Sequence, residues 1–352
     1  MGASRPAVGR TQPPVTRTPI WHFASEVPSH LGATAVSIGN YDGVHRGHRY
    51  VLSQLIHHAR TRSLTPVALT FWPHPRHVMG GQAEPRLITG HEDRDRLLLL
   101  AGVGGVLDLE FTREFAQHSA EDFVRIFLVE GLGARCVVLG EDALFGRANA
   151  GNIDTMRELG QEYGFDVVTV SDLGPEGQGT GRISSSAIRE SLLRGEVEAA
   201  AAMLGRRHTV TDVVHHGFQR GREMGFPTAN LGPTPQGLVP ADGVYAGYLT
   251  VIDQHPDHVG TAALAGAPAT ISIGTNPTFT DAGVPQRTVE AYVHDDHSLD
   301  LYGDTVRLEF VDYQRPTLKF DGIDALIEQM HKDVEVTRRT LASAPVPEPS
   351  AD

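Results

Sequence analysis

The stretch "ATAVSIGNYDGVHRGH", residues 33–48, joins an apolar run to a glycine-rich segment that carries two histidines. Its first part, "ATAVSIG", has the composition of a short buried strand. Helical periodicity starts soon afterwards, at Val51. A strand, a glycine-rich turn and a helix make the geometry in which backbone N–H groups surround a phosphate. Gly39, Gly43 and Gly47 would let the backbone approach such an anion closely.

His45 and His48 lie where the turn becomes the helix, and their spacing of three places both side chains on one side. Two imidazoles in this position can donate hydrogen bonds to one phosphoryl group and stabilise its charge. Two other interpretations stay open from these residues alone. Most isolated histidine pairs are ordinary polar turn residues. A zinc site is a weaker interpretation, because the pair lacks the glutamate of an HExxH helix and has no obvious third ligand nearby.

The first half of the chain alternates β-rich runs with helix-length segments. Further runs of this kind occupy residues 66–71, 105–111, 134–140 and 165–170. This alternation predicts βαβ units, and therefore a Rossmann-like parallel sheet with helices on both faces. Ligands bind at the carboxyl ends of strands in such sheets, and the glycine-rich stretch follows one of those ends.

The second half changes to closely spaced β-like segments. They occupy residues 207–217, 243–253, 267–274, 286–295 and 304–313. The short spacing leaves no room for crossover helices, which predicts an antiparallel sandwich or barrel. A terminal helix is expected, with one apolar face formed by Ile323, Leu326, Ile327, Met330 and Val334.

Two short helices are predicted between the halves, over residues 184–205, with Gly205 ending the second. The predicted domains are therefore residues 21–204 and 205–342. Residues 1–20 and 343–352 are rich in proline or in small polar side chains and are expected to be disordered tails.

Composition narrows the class of protein. The formal charge of −13 argues against a nucleic-acid partner, which would need a surplus of lysine and arginine. Cys136 is the only cysteine, so neither a disulfide framework nor a cysteine-rich zinc site can form. The sequence has neither a long apolar run nor a signal peptide, so a cytoplasmic protein without a membrane partner is expected. Homo-oligomer formation is left open.

A second candidate phosphate site lies in "GRISSSAIRESL", residues 181–192. Any of Ser184, Ser185 and Ser186 could cap the helix that follows, and serine caps are usually structural. Arg182 and Arg189 bracket these three hydroxyls, which makes a better phosphate clamp than a cap requires.

A third candidate lies in "GFPTANL", residues 225–231, after a basic loop with regularly spaced glycines. Thr228 and Asn230 share one side of an extended segment, because residues i and i+2 face the same way. A hydroxyl and an amide so placed suit magnesium and phosphate oxygens. In isolation, a polar strand exit stiffened by Pro227 is the commoner interpretation.

Eleven motifs in order resemble the bacterial bifunctional riboflavin kinase/FAD synthetase family. In the first half they are "IGNYDGVHRGH", "TFWPHP", "RLIT", "GEDALFG" and "ISSSAIR"; in the second, "GFPTANL", "PADGVYAG", "IGTNPTF", "VEAYV", "DLYG" and "QRPTLKF". The resemblance implies a nucleotidyltransferase domain that adenylylates FMN to FAD, releasing pyrophosphate. It further implies a C-terminal antiparallel β-barrel that phosphorylates riboflavin to FMN. ATP would be the co-substrate of both reactions and Mg²⁺ the metal.

The resemblance also implies roles for particular residues. His45 and His48 would hold the α- and β-phosphates of ATP, and Glu290 would be the general base of the kinase. Phosphate and ATP contacts would come from Gly39, Asp42, Gly43, Arg182, Ser185, Arg189, Thr228 and Asn230, the last two also binding the metal. Flavin contacts would come from Phe71, Pro73, Asp142 and Arg315.

The sequence departs from the family pattern at several positions. Ala143 stands where an aromatic residue usually follows the polar residue of the fourth motif. Tyr41 and Ser186 are milder departures. In the second half the sequence departs at Arg207, His208, Asp212, Tyr292 and Thr317, none of which removes Thr228, Asn230 or Glu290. Two alternatives follow: a riboflavin kinase whose first half is a non-catalytic or regulatory flavin-binding module, and an adenylyltransferase for another substrate. The features around Thr228 and Glu290 argue against the second.

Overall fold

The computed structural model describes residues 19–80, 86–171, 183–216, 226–258, 264–275, 287–294 and 300–344. Arg182, the glycines of the loop before "PTAN" and most of both predicted tails lie outside these ranges. Within them, no helix has the length and apolarity required to cross a membrane.

The first half forms a six-stranded parallel sheet, which confirms the prediction. Its spatial order is β1 (Ile20–Trp21), β4 (Gly105–Glu110), β3 (Thr65–Trp72), β2 (Thr34–Ile38), β5 (Ala134–Gly140) and β6 (Asp166–Val170). The order reverses between β2 and β5, and this switch point is where open α/β sheets bind ligands. β1 begins at Ile20, the last residue of the predicted N-terminal tail.

Helices cover both faces of this sheet. They are α1 (Arg46–Thr61), α2 (Pro75–Met79), α3 (His91–Leu100), α4 (Ala120–Phe123) with its π-helical continuation Val124–Gly131, and α5 (Ile153–Tyr163). Adjacent residues of β2 enter different cores, because successive strand side chains point to opposite faces. Ala35 packs with Leu52 and Leu55 of α1, whereas Val36 packs in the core that contains Met156 of α5.

The second half forms a closed antiparallel barrel, which confirms the barrel that the family resemblance implied and excludes the sandwich that the strand spacing also allowed. Its strands are β7 (His208–His215), β8 (Thr228–Leu231), β9 (Gly243–Asp253), β10 (Ala267–Thr275), β11 (Arg287–Val293) and β12 (Thr305–Arg315), in the order β10-β11-β8-β7-β12-β9. The "PTAN" segment supplies β8, a full member of the barrel.

The terminal helix α8 (Ile323–Ser343) packs on the outside of the barrel. Val334 is buried against Phe226 and Tyr292, and Ile327 and Met330 pack beside it, as the apolar face predicted. Ile323 is 66% exposed, so the first turn of the helix contributes little to this contact.

Two helices join the halves as predicted, α6 (Ser185–Leu193) and α7 (Val197–Leu204). Gly205 ends α7 with a φ of 75°, a left-handed conformation that glycine adopts without strain. Leu192 and Leu204 are fully buried in the same apolar core as Val210 and Leu249 of the barrel. The two helices therefore pack on the barrel, and they attach the first half to it.

We expect Leu192→Ala to lower the free energy of unfolding by about 2–5 kcal/mol, because it removes a buried side chain and leaves a cavity. Leu193, the next residue, is 50% exposed, so Leu193→Ala should cost less than about 0.5 kcal/mol. Urea denaturation followed by circular dichroism measures both losses. Equal losses would contradict a shared core between α6 and the barrel.

Candidate active sites

A tightly folded loop links the carboxyl end of β2 to α1. Tyr41, Gly43 and Val44 have positive φ angles of 50°, 85° and 38°. Such angles cost energy in residues other than glycine, so surrounding contacts must hold them. Tyr41 is buried and donates a hydrogen bond to Ser37 Oγ at 2.8 Å. A Cβ atom at position 39 would lie 3.1 Å from the Tyr41 ring, which favours glycine there.

The loop delivers His45 and His48 to one place, with their rings stacked 3.6 Å apart at an interplanar angle of 17°. His45 is the N-cap of α1, and its Nδ1 accepts a hydrogen bond from the backbone N–H of His48 at 3.3 Å. Because Nδ1 of His45 is an acceptor, the proton of the neutral ring is on Nε2.

Burial first, and then the nearby Arg206 charge, lower the pKa of His45 to about 4. The pKa of His48 also lies well below its ordinary value, through burial first and then through His45 and Arg206. Both rings are therefore neutral near pH 7, where they can donate hydrogen bonds without carrying charge.

The serine-rich helix start lies against this loop, although the two are far apart in sequence. Ser184 is the residue that caps α6, accepting from Ala187 N at 3.2 Å. Ser185 Oγ donates to the Asp42 carbonyl oxygen at 2.9 Å. Arg189 Nη2 donates to Asp42 Oδ2 at 2.5 Å. The loop of residues 39–48 and the start of α6 therefore form two walls of one site.

The carboxylate of Asp42 is engaged by the protein itself. Besides the Arg189 contact, Oδ1 accepts from the backbone N–H groups of Ile88 at 2.9 Å and Thr89 at 3.4 Å. Burial raises the pKa of Asp42, and the Arg189 charge opposes this rise. Asp42 thus fixes the loop on both neighbouring segments, and its predicted contact with ATP stays a prediction.

The residues predicted to contact flavin lie at the same edge of the sheet. Phe71 and Pro73 are at the end of β3, and Asp142 follows the end of β5; these two strands flank β2. The Phe71 ring packs within an aromatic cluster, with its centroid 5.8, 5.7 and 6.3 Å from those of Phe111, Phe115 and Phe123. Ala143 packs against the apolar core of the same domain. The flavin contacts themselves stay predictions.

A small pocket opens at this edge, lined by Asn40, Asp42, Trp72, His74, Leu87, Thr89, His91 and Arg94. His74 was not among the predicted site residues, although it stands in the quoted "TFWPHP" motif just beyond a strand. Its burial, together with the charges of Arg189, Arg76 and Arg94, lowers its pKa to about 4. A polar residue at a strand end was the signal that could have identified it.

One group of side chains near the pocket resembles a metal site. His91, Asp95 and Asp108 bring one potential ligand atom each within 4.8 Å of one another. Arg94, however, donates to Asp108 at 2.8 Å and to Asp95 at 3.0 Å, and His91 is hydrogen-bonded to Asp108. These contacts neutralise the negative charge of the two carboxylates and join α3 to β4. The group is therefore explained as an ion-pair network, without a metal ion.

The barrel brings a second set of predicted residues together. Asn230 Nδ2 donates to Thr228 Oγ1 at 3.2 Å, so the two side chains share one face of β8. Glu290 of β11 stands directly opposite Asn230 in the antiparallel pair. Thr288, which the sequence analysis missed, donates to Glu290 Oε1 at 3.4 Å. The signal was its spacing of two from Glu290 on an alternating strand.

Burial raises the pKa of Glu290 above that of an ordinary glutamate. Hydrogen bonds from Thr288 and Thr228 oppose the rise by stabilising the charged form. A carboxylate in this setting is a better proton acceptor than an exposed one.

Arg315, the remaining predicted flavin contact, is held at the end of β12 by Asp333 of α8. Its Nε and Nη2 donate to the two carboxylate oxygens at 2.8 and 2.5 Å, in a two-pronged ion pair. The arginine therefore fastens α8 to the barrel, and its role toward flavin stays a prediction.

The sequence of the chain matches two protein families. FAD synthetase matches residues 27–187, and riboflavin kinase matches residues 204–341. Proteins named bifunctional riboflavin kinase/FMN adenylyltransferase from Escherichia coli (strain K12) and Bacillus subtilis (strain 168) are 32% and 33% identical to it. Each comparison covers 90% of this chain, with 95% and 96% of the respective relatives.

A solved structure has the same overall fold. It is titled a macrolide-efflux protein from Streptococcus pneumoniae, and it superimposes with a TM-score of 0.76 at 28% identity. The match covers 91% of this chain and 98% of the other, so both halves and the connecting helices are included.

We expect His45 to bind a proton only as the pH falls toward about 4, and NMR of the histidine side chains measures this. An unfolded histidine binds its proton near pH 6.5, so the unfolded state binds more protons between these two values. The contribution of His45 to stability therefore decreases as the pH falls through that window. Arg206→Gln should raise the pKa of His45, since it removes a repelling charge. A midpoint near 6.5 in the folded protein would contradict the burial of the ring.

Proposed function

The chain belongs to the family of bifunctional riboflavin kinase/FMN adenylyltransferases, and we propose which of its residues perform each reaction. The barrel half phosphorylates riboflavin to FMN with ATP, and the α/β half adenylylates FMN to FAD with release of pyrophosphate. One observation carries the proposal: in each half, predicted residues that are distant in sequence meet at one place. We place the boundary between the two domains between residues 204 and 205, as the sequence predicts.

In the α/β half, a phosphate oxygen of FMN attacks the α-phosphorus of ATP, and the bond to the departing pyrophosphate breaks. The nucleophile is already an anion, so the reaction needs alignment and charge stabilisation but no general base. The low pKa values of His45 and His48 support this role, because a neutral imidazole is a hydrogen-bond donor. We assign the two rings to the α- and β-phosphates.

Ser185 and Arg189 would hold the end of ATP that leaves as pyrophosphate, with Arg182, which lies outside the described residues, as a further contact. The Arg189 side chain is fixed before any ligand binds, because Asp42 and the Arg86 carbonyl oxygen both accept from it. Gly39 and Gly43 let the loop backbone approach the phosphates. The flavin would occupy the side of the sheet edge where Phe71, Pro73 and Asp142 lie.

In the barrel half, the 5′-hydroxyl of riboflavin attacks the γ-phosphorus of ATP, and ADP leaves. An alcohol is a weak nucleophile until its proton is accepted, so this reaction requires a base. We assign that proton to the carboxylate of Glu290. Its raised pKa supports the assignment, since it increases the affinity of the carboxylate for the proton.

Thr228 and Asn230 fit a magnesium ion in the kinase half. A hydroxyl and an amide oxygen are hard ligands of the kind that Mg²⁺ prefers. The amide nitrogen of Asn230 is used on Thr228, which leaves Oδ1 as the ligand atom. When bound, Mg²⁺ neutralises charge on the phosphates of ATP. A location in the cytoplasm stays a prediction of the sequence.

We expect His48→Ala to slow FAD formation from FMN by about 10²–10³-fold, because one donor to the transition-state charge is lost. FMN formation should remain nearly unchanged. Glu290→Gln should slow FMN formation by about 10²–10⁴-fold, as expected for loss of a general base, and leave adenylylation of supplied FMN intact. Chromatography of flavins after incubation with ATP and Mg²⁺ measures both rates.

Two substitutions at exposed positions serve as controls for these variants, His57→Ala on α1 and Glu328→Gln on α8. Both should preserve the two activities. Loss of both activities in a folded His48→Ala or Glu290→Gln protein would contradict the division of labour. FMN without FAD from the unaltered protein would favour a non-catalytic first half.

The rate of FMN formation should also depend on pH through Glu290. Only the deprotonated carboxylate accepts the substrate proton, and its pKa is raised, so the rate should fall at a higher pH than an ordinary glutamate would give. Measuring kcat for FMN formation between neutral and acidic pH tests this. The slower Glu290→Gln variant should lack this transition, and an unchanged transition would contradict the assignment.

A further inference from the structure

The junction between the two halves gathers several arginines around one carboxylate. Arg96 of α3 and Arg307 of β12 both donate to the same oxygen, Asp93 Oδ1, at 3.3 and 3.2 Å. Arg206, just after α7, is close enough to feel the charges of Arg96, Asp93 and also Arg49. This concentration of positive charge stands out in a chain whose formal charge is −13.

The arginines offer more N–H groups than the surrounding protein accepts. The side chain of Arg307 is only 9% exposed, and its Nε is buried without a hydrogen-bond partner in the described part of the chain. The same is true of Nε and Nη1 of Arg96. A buried N–H group without an acceptor is costly, and structures usually provide one. Donors on two different halves of the molecule therefore converge on the junction with hydrogen bonds still to make.

The electrostatics at Arg206 indicate the same demand for negative charge. Burial and the neighbouring charges of Arg49 and Arg96 lower its pKa to about 10, although Asp93 and Asp42 act in the opposite direction. Burial contributes most to this shift, and the neighbouring guanidinium charges add to it. An anion bound beside it would relieve the repulsion.

Arg206 also connects this cluster to the loop of the histidines. Its Nη1 donates to the Val44 carbonyl oxygen at 3.5 Å, next to His45, and its Nη2 donates to Thr89 Oγ1 at 3.3 Å. Thr89 is in turn bonded to Asp42 through its backbone. The arginine cluster at the junction is therefore adjacent to the candidate adenylylation site.

We propose that Arg96, Arg206 and Arg307 form a binding site for a phosphate group at the junction of the two halves. Guanidinium forks match phosphate oxygens in geometry as well as in charge. The phosphate has two sources with the same chemistry: the terminal phosphates of a nucleotide held at His45 and His48, which the junction would then share with Ser185 and Arg189, or free inorganic pyrophosphate. The first source rests on the proposed function, and the second does not.

Isothermal titration of the full chain with inorganic pyrophosphate, in phosphate-free buffer, tests the site. Arg96→Gln and Arg307→Gln should each weaken binding by about tenfold or more, since each removes a charged hydrogen-bond donor. Arg125→Gln is the matched control, because that arginine is 40% exposed and paired with surface carboxylates. It should bind pyrophosphate as the unaltered chain does. Affinities of both test variants within about twofold of the unaltered chain would overturn the proposal.

Two further variants separate binding from folding. Arg307→Lys keeps the positive charge and should therefore bind pyrophosphate more tightly than Arg307→Gln. A purely structural role for the side chain would not predict this difference in affinity. If Arg307→Gln does not fold, Arg96→Gln decides the question, because the Arg96 side chain is 34% exposed, against 9% for Arg307. Circular dichroism in the titration buffer monitors the fold of each variant.

Repeating the titration with saturating α,β-methylene-ATP identifies the source of the phosphate. If the junction holds the end of the nucleotide, the analogue should abolish pyrophosphate binding. If the site is separate, binding should persist and remain sensitive to Arg96→Gln. Failure of the proposed histidine roles would appear elsewhere, as unchanged binding of the analogue by His48→Ala. Failure of the junction site would appear as arginine variants that bind pyrophosphate normally.

Discussion

One buried carboxylate, that of Asp42, holds together three segments from different parts of the chain. It accepts from the backbone of Ile88 and Thr89 and from the side chain of Arg189, while the Asp42 carbonyl oxygen accepts from Ser185. Removing one partner of a buried ion pair leaves the other charge uncompensated, so such a pair works as a unit. The loop of the histidines and the start of α6 are therefore fixed relative to each other by this single group.

The segment of Ile88 and Thr89, which Asp42 binds, also contacts the barrel half. The Ile88 carbonyl oxygen accepts from Leu238 N at 3.4 Å, and Arg206 reaches Thr89 from the barrel side. Below these polar contacts, Leu192 and Leu204 share an apolar core with barrel strands. The candidate adenylylation site thus depends partly on contacts with the kinase half, and a change in the barrel wall has a physical route to the histidine loop.

Burial shifts the pKa values of the key side chains in opposite directions in the two halves. Burial lowers the pKa of His45 and His48, which keeps the rings neutral, and it raises the pKa of Glu290, which strengthens a base. Both shifts follow from one cause, the cost of holding charge away from water. The chemistry explains the difference: a phosphate nucleophile arrives already charged, whereas a hydroxyl must lose a proton.

The sequence by itself determined the parallel sheet, the two connecting helices and several of the residues that meet in each candidate site, although not His74 or Thr288. Strand and helix periodicities are local properties of the backbone, and the glycine turn before His45 and the pair Thr228–Asn230 are local as well. The strand spacing of the second half allowed a sandwich or a barrel, and the resemblance to the family implied the barrel that the structure confirms. Tertiary structure alone decided that α6 and α7 pack on it. It also decided that Asp42 faces Arg189 and that Arg206 donates to the Val44 carbonyl oxygen beside His45. The last two contacts join residues more than a hundred positions apart. No local pattern encodes any of these partners, because they depend on how complete elements pack.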